Sequence, residues 1–234
     1  SGITMLRGAA ARDRFLDGRT MIIAGDAAKK VVVYPISGQA ERRGRSLVNW
    51  VAEIHVGGDR PPRPSDWWAE GVRSHFVPQF EDWDLGFVRM ADLFDATEDV
   101  YEFPMVDRDP LPRWSFGRVT LLGDAAHAMY PMGANGASQA IIDAHALAEA
   151  VAASGSAQDA LSSYQRQRLV PTTRVVLANR RRGPEWILEV AKQRLPTPDA
   201  EPGDYLSEQE ALSISRRYQA LAGFDIDTLN REGL

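Results

Sequence analysis

The sequence predicts a mixed fold of the α+β kind, an antiparallel-rich sheet followed by a largely helical region. Three observations carry this. Residues 46–56 alternate with period two, Leu47, Asn49, Val51, Glu53 and His55 against Val48, Trp50, Ala52, Ile54 and Val56. Two shorter apolar, β-branched runs precede them, each long enough for a strand. From Ala134 the apolar residues change to helical spacing, broken only at Gly155 and at prolines.

Taken in order, no element is predicted before residue 20. Met21, Ile22 and Ile23 make a short strand within 20–24, and Val31, Val32, Val33 and Tyr34 a second within 30–36. Residues 37–45 hold Gly38, Gly44 and several charges and read as a hairpin loop to the 46–56 strand. The Pro-rich stretch 60–65 is punctuation. Ser65 or Asp66 then caps a helix running to Phe76, with Trp67, Trp68, Val72 and Phe76 as core or domain-contact residues. A helix is expected over 85–94 and a strand over 100–106, before Pro110 and Pro112 break the chain. Residues 118–122 form a short buried strand that runs straight into Gly123-Asp124.

The helical part begins with 134–153, where Ile141, Ala144, Ala148 and Val151 fall three or four apart and make one apolar stripe. A second long helix covers 157–182. Pro171 should kink or restart it, because proline lacks the N–H that an interior helical position donates. A shorter helix over 185–193, a linker with Pro196, Pro198 and Pro202, and an amphipathic helix over 207–221 complete the chain.

Composition narrows the function. The 234 residues carry a formal charge of −5 and no cysteine. Without cysteine there is no disulfide, thiolate metal site or cysteine nucleophile. An acidic chain lacks the attraction that nucleic acid or an anionic membrane requires, so neither is expected as a partner. Arg166, Arg168, Arg174, Arg180, Arg181 and Arg182 are read as a solvated helix face. No apolar run approaches the roughly 18 residues of a membrane helix, and residues 1–14 lack a signal-peptide plan. A soluble, cytoplasmic protein is the expectation.

The informative stretch is Gly123-Asp124-Ala125-Ala126-His127 followed by Tyr130-Pro131-Met132-Gly133-Ala134-Asn135-Gly136. A small acidic residue stands at the carboxyl end of a strand, where α/β sheets bind ligands. Gly133 and Gly136 let backbone N–H groups approach a ligand, and the helix they open adds unpaired donors and partial positive charge. Such a place suits an anion or developing negative charge. The structural alternative is that Asp124 caps a turn and the glycines only tighten a loop. His127, three residues after Asp124, has no third ligand in spacing and no nucleophile motif nearby, so it is read as packing in the turn or bonding to backbone. No metal site and no side-chain catalyst is expected.

The segment RVTLLGDAAHAMYPMGANGASQAIIDAHALAEAV resembles the second flavin motif of the class A flavoprotein aromatic hydroxylases, the para-hydroxybenzoate hydroxylase-like family. The stretches FLDGRTMIIAGDAAKKVVVYPIS and GRSLVNWVAEI are similar to the branch containing phenazine-carboxylate hydroxylases. The resemblance covers most of the chain up to about Arg182. It implies that FAD is held by Gly123, Asp124, Pro131, Gly133, Ala134, Asn135 and Gly136, with Asp124 on the ribityl–ribose side and the 131–136 loop against the isoalloxazine ring. It further implies that the helix dipole stabilises negative charge on reduced flavin. Tyr34, Asn49 and Trp50 lie on strands that line the substrate pocket in that family; Tyr34 and Trp50 are taken as the substrate residues.

The family opens with a strand and Gly-x-Gly-x-x-Gly for the pyrophosphate, and no such motif stands in this chain. The expectation is therefore the C-terminal portion of such an enzyme, with 1–107 the substrate-binding sheet domain, 108–182 the second half of a Rossmann-like FAD-binding domain and 183–234 C-terminal helices. By resemblance, NAD(P)H reduces FAD and a flavin C4a-hydroperoxide hydroxylates an aromatic or heteroaromatic ring. The partners are then a small aromatic substrate and the missing N-terminal half of the FAD domain. Without that half the chain should hold FAD poorly and self-associate through an unpaired sheet edge. The alternative is a non-catalytic flavin-fold fragment acting as an interaction module.

Overall fold

The computed structural model describes residues 1–58, 69–197 and 200–224. The chain divides into two compact units, Ser1–Met105 and Val106–Leu234. The mixed architecture with an antiparallel sheet is the one expected.

The first unit is a six-stranded antiparallel sheet. Its strands are β1 (Ile3–Asp13), β2 (Ile22–Gly25), β3 (Lys29–Pro35), β4 (Arg45–His55), β5 (Ala69–Glu70) and β6 (Thr97–Pro104), in the order β2-β3-β4-β1-β6-β5. The central strand β1 has no counterpart among the sequence expectations. Its run Gly8-Ala9-Ala10-Ala11 lacks the β-branched and aromatic residues by which strands are recognised. At Gly8 the small size is required by packing: a Cβ there would lie 2.5 Å from Thr97 Cγ2 and 2.8 Å from the Trp50 ring.

The alternation in β4 is realised. Val48, Trp50, Ala52 and Ile54 enter the core with Leu6, Val31, Val33 and Val100. The helical turn α2 (Arg73–Phe76) and helix α3 (Met90–Asp95) add Phe76 and Phe94. The Trp50–Phe94 and Phe76–Phe94 ring centroids are 4.7 and 5.1 Å apart. The buried indole is satisfied, since Trp50 Nε1 donates to Thr97 Oγ1 at 2.8 Å and that hydroxyl donates to Leu93 O. On the opposite face the buried Lys30 and Glu53 pair at 3.0 Å, and Arg7 Nε donates to Asn49 Oδ1 at 3.0 Å.

Three expectations in this unit need correction. The 37–45 loop contains the turn α1 (Gly38–Glu41), because the Ser37 side chain caps it by accepting from Ala40 N. The expected helix over 85–94 forms only at its end. Asp84 accepts from Gly86 N and Leu85 N donates to Val88 O, so the chain turns back on itself before α3 begins. The helix expected to reach Phe76 is a strand at 69–70 and one turn at 73–76; Trp67, Trp68 and residues 60–65 lie outside the described residues.

The second unit opens with a two-stranded hairpin, β7 (Ser115–Phe116) and β8 (Val119–Thr120), followed by the turn α4 (Asp124–His127). Helices α5 (Gly136–Ala153), α6 (Ala157–Arg180), α7 (Trp186–Arg194), α8 (Pro202–Tyr205) and α9 (Glu208–Ala222) follow. The strand before Gly123 is not buried as expected; Val119 is 62% exposed and pairs only with β7. Helix α6 continues through Pro171 without a restart. Helix α9 packs on α6 through Tyr218, Ala222 and Val175.

Helix α5 reverses the expected stripe. Ile141 and Val151 are 71% and 57% exposed. The buried face carries Gln139, Asp143, Ala146 and Ala150. Two polar residues can occupy that face because each is fully bonded, as the site shows.

Candidate flavin site in the second unit

The expected site residues other than those on the sheet come together where α4 leads through a tight loop into α5. Gly123 is the N-cap of α4 with φ +57°, a conformation that favours glycine. Its buried N–H donates to Asp143 Oδ2 at 3.1 Å. Asp124 follows at the first helical position with its side chain exposed. A Cβ built on Gly136 would stand 4.0 Å from Asp124 Oδ1, so the carboxylate flanks the first turn of α5. Pro131 O accepts from Ala134 N at 2.9 Å, closing the loop, and Ala134 holds φ +53°. A non-glycine residue at positive φ stores local strain, which functional sites commonly do.

The loop has two sides. Pro131, Ala134, Ala137 and Ser138 are exposed. Toward the interior it is sealed by Tyr218 of α9, and a Cβ on Gly133 would meet Tyr218 Cε1 at 2.6 Å. Gly133 is therefore glycine because of Tyr218, where the sequence reading gave that space to the cofactor. Asn135, 1% exposed, donates from Nδ2 to Tyr218 Oη at 2.6 Å. Asn179 Nδ2 donates to Tyr130 O at 2.9 Å, and Tyr218 Oη lies 2.6 Å from Asn179 Oδ1 and 3.0 Å from Met132 O. Burial pushes the Tyr218 phenol above its ordinary ionisation range.

Behind the turn lies a buried ionic network. His127 Nε2 and Asp143 Oδ2 are 2.5 Å apart. Arg168 Nε donates to Asp143 Oδ1 at 2.8 Å, and Arg168 Nη2 to Gln139 Oε1 at 2.7 Å. Gln139 Nε2 then donates to Ala222 O at 2.7 Å, reaching the end of α9. Burial acts to raise the Asp143 pKa, but hydrogen bonds from His127, Arg168 and the Gly123 N–H outweigh it and hold the carboxyl below its usual range. Asp143 is thus ionised and His127 Nε2 is the donor.

His127 therefore bonds to a carboxylate, where packing or a backbone bond was expected. Arg168 leaves the proposed solvated face and is buried. Arg180 pairs with Asp107 at 2.5 Å and Asp109 at 2.8 Å, so it too has local partners. Asp143, Gln139, Asn179 and Tyr218 were not foreseen. The i, i+4 spacing of Gln139 and Asp143 in line with Ala146 and Ala150 was the available signal. Among the described residues no group of three or more His, Asp or Glu could hold a metal, and no helix is long and apolar enough to cross a membrane.

The two substrate expectations sit in the first unit and separate there. Trp50 is fully buried in the aromatic core with its N–H used by Thr97. It offers no open surface, because the strand pleat turns it to the core face. Tyr34 pairs in register with Asn49 on the other face and remains partly exposed. The Asn49 Nδ2 is buried there with no partner among the described residues.

The second unit thus combines a Gly-Asp turn, a strained loop and an exposed helix N-terminus held from behind. The FAD binding domain family matches residues 97–178. The chain is 46% identical over 181 residues to phenazine 1,6-dicarboxylic acid hydroxylase PhzS of Lysobacter antibioticus, covering 77% of this chain and 44% of that protein. It is 34% identical over 155 residues to 3-hydroxybenzoate 6-hydroxylase of Polaromonas naphthalenivorans (strain CJ2), covering 65% of this chain and 35% of that one.

Among solved structures, a salicylate hydroxylase substrate complex matches with TM-score 0.68 and 23% identity, over 100% of this chain and 57% of that one. Klebsiella pneumoniae HpxO complexed with FAD and uric acid matches with TM-score 0.62 and 19% identity, over 99% and 51%. These two show the fold. The resemblance to the class A FAD-dependent aromatic monooxygenases holds, and the chain spans about half the length of the relatives it matches or less.

Proposed function

We propose that this chain is the C-terminal part of a cytoplasmic, FAD- and NAD(P)H-dependent monooxygenase that hydroxylates a small aromatic or heteroaromatic substrate. The observation that carries the reading is the match of residues 97–178 to an FAD binding domain, laid over a Gly-Asp turn whose carboxylate stands beside the open first turn of α5. Asp124 is exposed, and a Cβ at Gly136 would meet nothing nearer than Asp124 Oδ1 at 4.0 Å, so the space beside the carboxylate is open to a ligand and the residues fit the cofactor.

In this reading Gly123, Asp124, Pro131, Gly133, Ala134, Asn135 and Gly136 form the FAD-holding segment. The Asp124 carboxylate accepts hydrogen bonds donated by hydroxyl groups, and the first-turn amides of α5 face negative charge. Bound and reduced, the cofactor supplies oxygen activation, by the route the family resemblance implies. The protein's own part is to orient the ring and exclude water. No side-chain nucleophile is required.

Residues 1–107 are the substrate-binding domain, 108–182 the second part of the FAD domain and 183–234 its C-terminal helices. The substrate face is the sheet side that carries Tyr34 and Asn49; Trp50, on the core side, is not part of it. An N-terminal FAD-domain half is the expected partner, and self-association is expected without it. The two relatives are named as hydroxylases, which does not favour the interaction-module alternative. The test supplies the protein carrying this chain with FAD, NAD(P)H and a panel of aromatic carboxylates, and follows oxidation of the reductant with product mass. Substrate-stimulated oxidation with a product heavier by one oxygen supports the reading. Flavin binding with no such product from any aromatic compound contradicts it.

A further inference from the structure

Helix α9 lies outside the segment matched by the FAD binding domain family, yet it reaches the loop at two points. Ala222 O accepts from Gln139 in the first turn of α5. Tyr218 inserts its ring between two glycines: a Cβ on Gly133 would be 2.6 Å from Cε1, and one on Gly183 3.0 Å from Cε2. Both glycines hold positive φ, so the backbone is bent around the ring on either side.

The hydrogen bonds orient themselves. Asn179 Nδ2 is committed to Tyr130 O, which turns Asn179 Oδ1 toward the phenol. The single phenolic proton therefore goes to Asn179 Oδ1 at 2.6 Å, with Met132 O at 3.0 Å as the competing acceptor. The Oη lone pair is left to accept from Asn135 Nδ2, the residue immediately before α5. Both ends of the loop, Tyr130 and Asn135, are thus tied through the Asn179–Tyr218 pair. A buried phenol with this set of partners rigidifies more than its burial alone, because moving the loop away from it breaks the Asn135–Tyr218 bond and the Asn179–Tyr130 bond, both made by part-buried or buried groups.

We propose that Tyr218 is a positioning residue for the flavin, setting from α9 the place of the 130–136 loop and the α5 N-terminus. The proposal rests on the flavin reading above. Through the loop, Tyr218 influences the charge that the helix end presents to reduced flavin, although it lies on the sealed side of the loop.

The test compares the parent protein with Tyr218→Phe, which keeps the ring between the glycines and removes only the hydroxyl. Three readouts are taken: deuterium uptake at residues 130–138 without flavin, FAD affinity by fluorescence titration, and the midpoint potential of bound FAD. The expected result is uptake about tenfold faster in that segment with little change elsewhere, and FAD bound about tenfold more weakly. Reduced flavin should lose about a further tenfold relative to oxidised flavin, a fall of about 30 mV for a two-electron couple. Asn179→Ala, which removes the acceptor from α6, should act in the same direction, and it serves if the first variant fails to fold.

Parent-like uptake, or faster uptake with unchanged affinity and potential, overturns the proposal. A parent protein that binds no FAD overturns the flavin reading itself, and the proposal with it. A parent that binds FAD beside a Tyr218→Phe variant that binds it equally well, at the same potential, defeats the Tyr218 proposal alone.

Discussion

Arg166 and Arg168 stand two residues apart on α6, yet the structure gives them opposite weight. Arg166 is exposed, and Arg168 is buried with its guanidinium on Asp143 and Gln139. Replacing Arg168 by Met keeps much of the aliphatic volume and removes the charge. Asp143 then remains fully buried with only His127 and the Gly123 N–H. Breaking a buried pair by removing one partner costs about 3–5 kcal/mol, because the remaining charge is uncompensated. At roughly 3 °C per kcal/mol, the thermal midpoint should fall by about 9–15 °C. Arg166→Met should stay within about 0.5 kcal/mol of the parent. The assay is thermal unfolding by circular dichroism at pH 7. Adding Asp143→Leu to Arg168→Met should recover part of the loss, since an apolar replacement of both charges is often neutral. Equal, small shifts for the two arginine variants would refute the buried-network account.

Other expectations follow from the same contacts. The Asp143 pKa is depressed in the folded chain, so its stabilising contribution is complete above the unfolded value of about 3.9 and is lost as pH falls through the lower folded value. In Arg168→Met one lowering partner is gone, so the folded pKa rises toward or past the unfolded value, the acid loss from this carboxylate shrinks or reverses, and the stability gap to the parent should narrow as pH falls below about 4; a gap that stays constant from about pH 2 to 6 would count against this. Gly133→Ala places a Cβ 2.6 Å from Tyr218 at φ +75° and should cost about 1–3 kcal/mol by overpacking, besides its backbone strain. Gly44→Ala, at φ +69° with nothing within 4 Å, should cost only the left-handed penalty of about 1–2 kcal/mol, and denaturant melts separate the two. Thr97→Val leaves the Trp50 indole N–H without its buried acceptor and should destabilise the first unit by about 1–3 kcal/mol, read by tryptophan fluorescence during unfolding.

The sequence revealed the features whose signal is contiguous. The β4 alternation, the amphipathic helix expected over 207–221 and the Gly-Asp turn before a Gly-rich loop each depend on neighbours within a few residues. What stayed hidden depends on partners far along the chain. Strand β1 is small because Trp50 and Thr97 press on Gly8, about forty and ninety residues away. On α5 the apolar stripe was taken for the buried face. The buried face holds Gln139 and Asp143, made tolerable by Arg168 and His127. Gly133 was legible as a glycine that must be small but not as one pressed by Tyr218, which stands 85 positions later. Local pattern thus marks out the loop itself, while its supporting side is assembled only on folding.

The flavin assignment is tested most directly by titrating FAD into the protein carrying this chain, with and without Asp124→Ala. Asp124 is exposed and structurally undemanding, so the variant should melt as the parent does. Loss of a charge-assisted hydrogen bond of about 1.5–3 kcal/mol should weaken FAD about 10- to 100-fold. An unchanged dissociation constant in a well-folded variant would contradict the assignment of Asp124 and the α5 N-terminus as the flavin site.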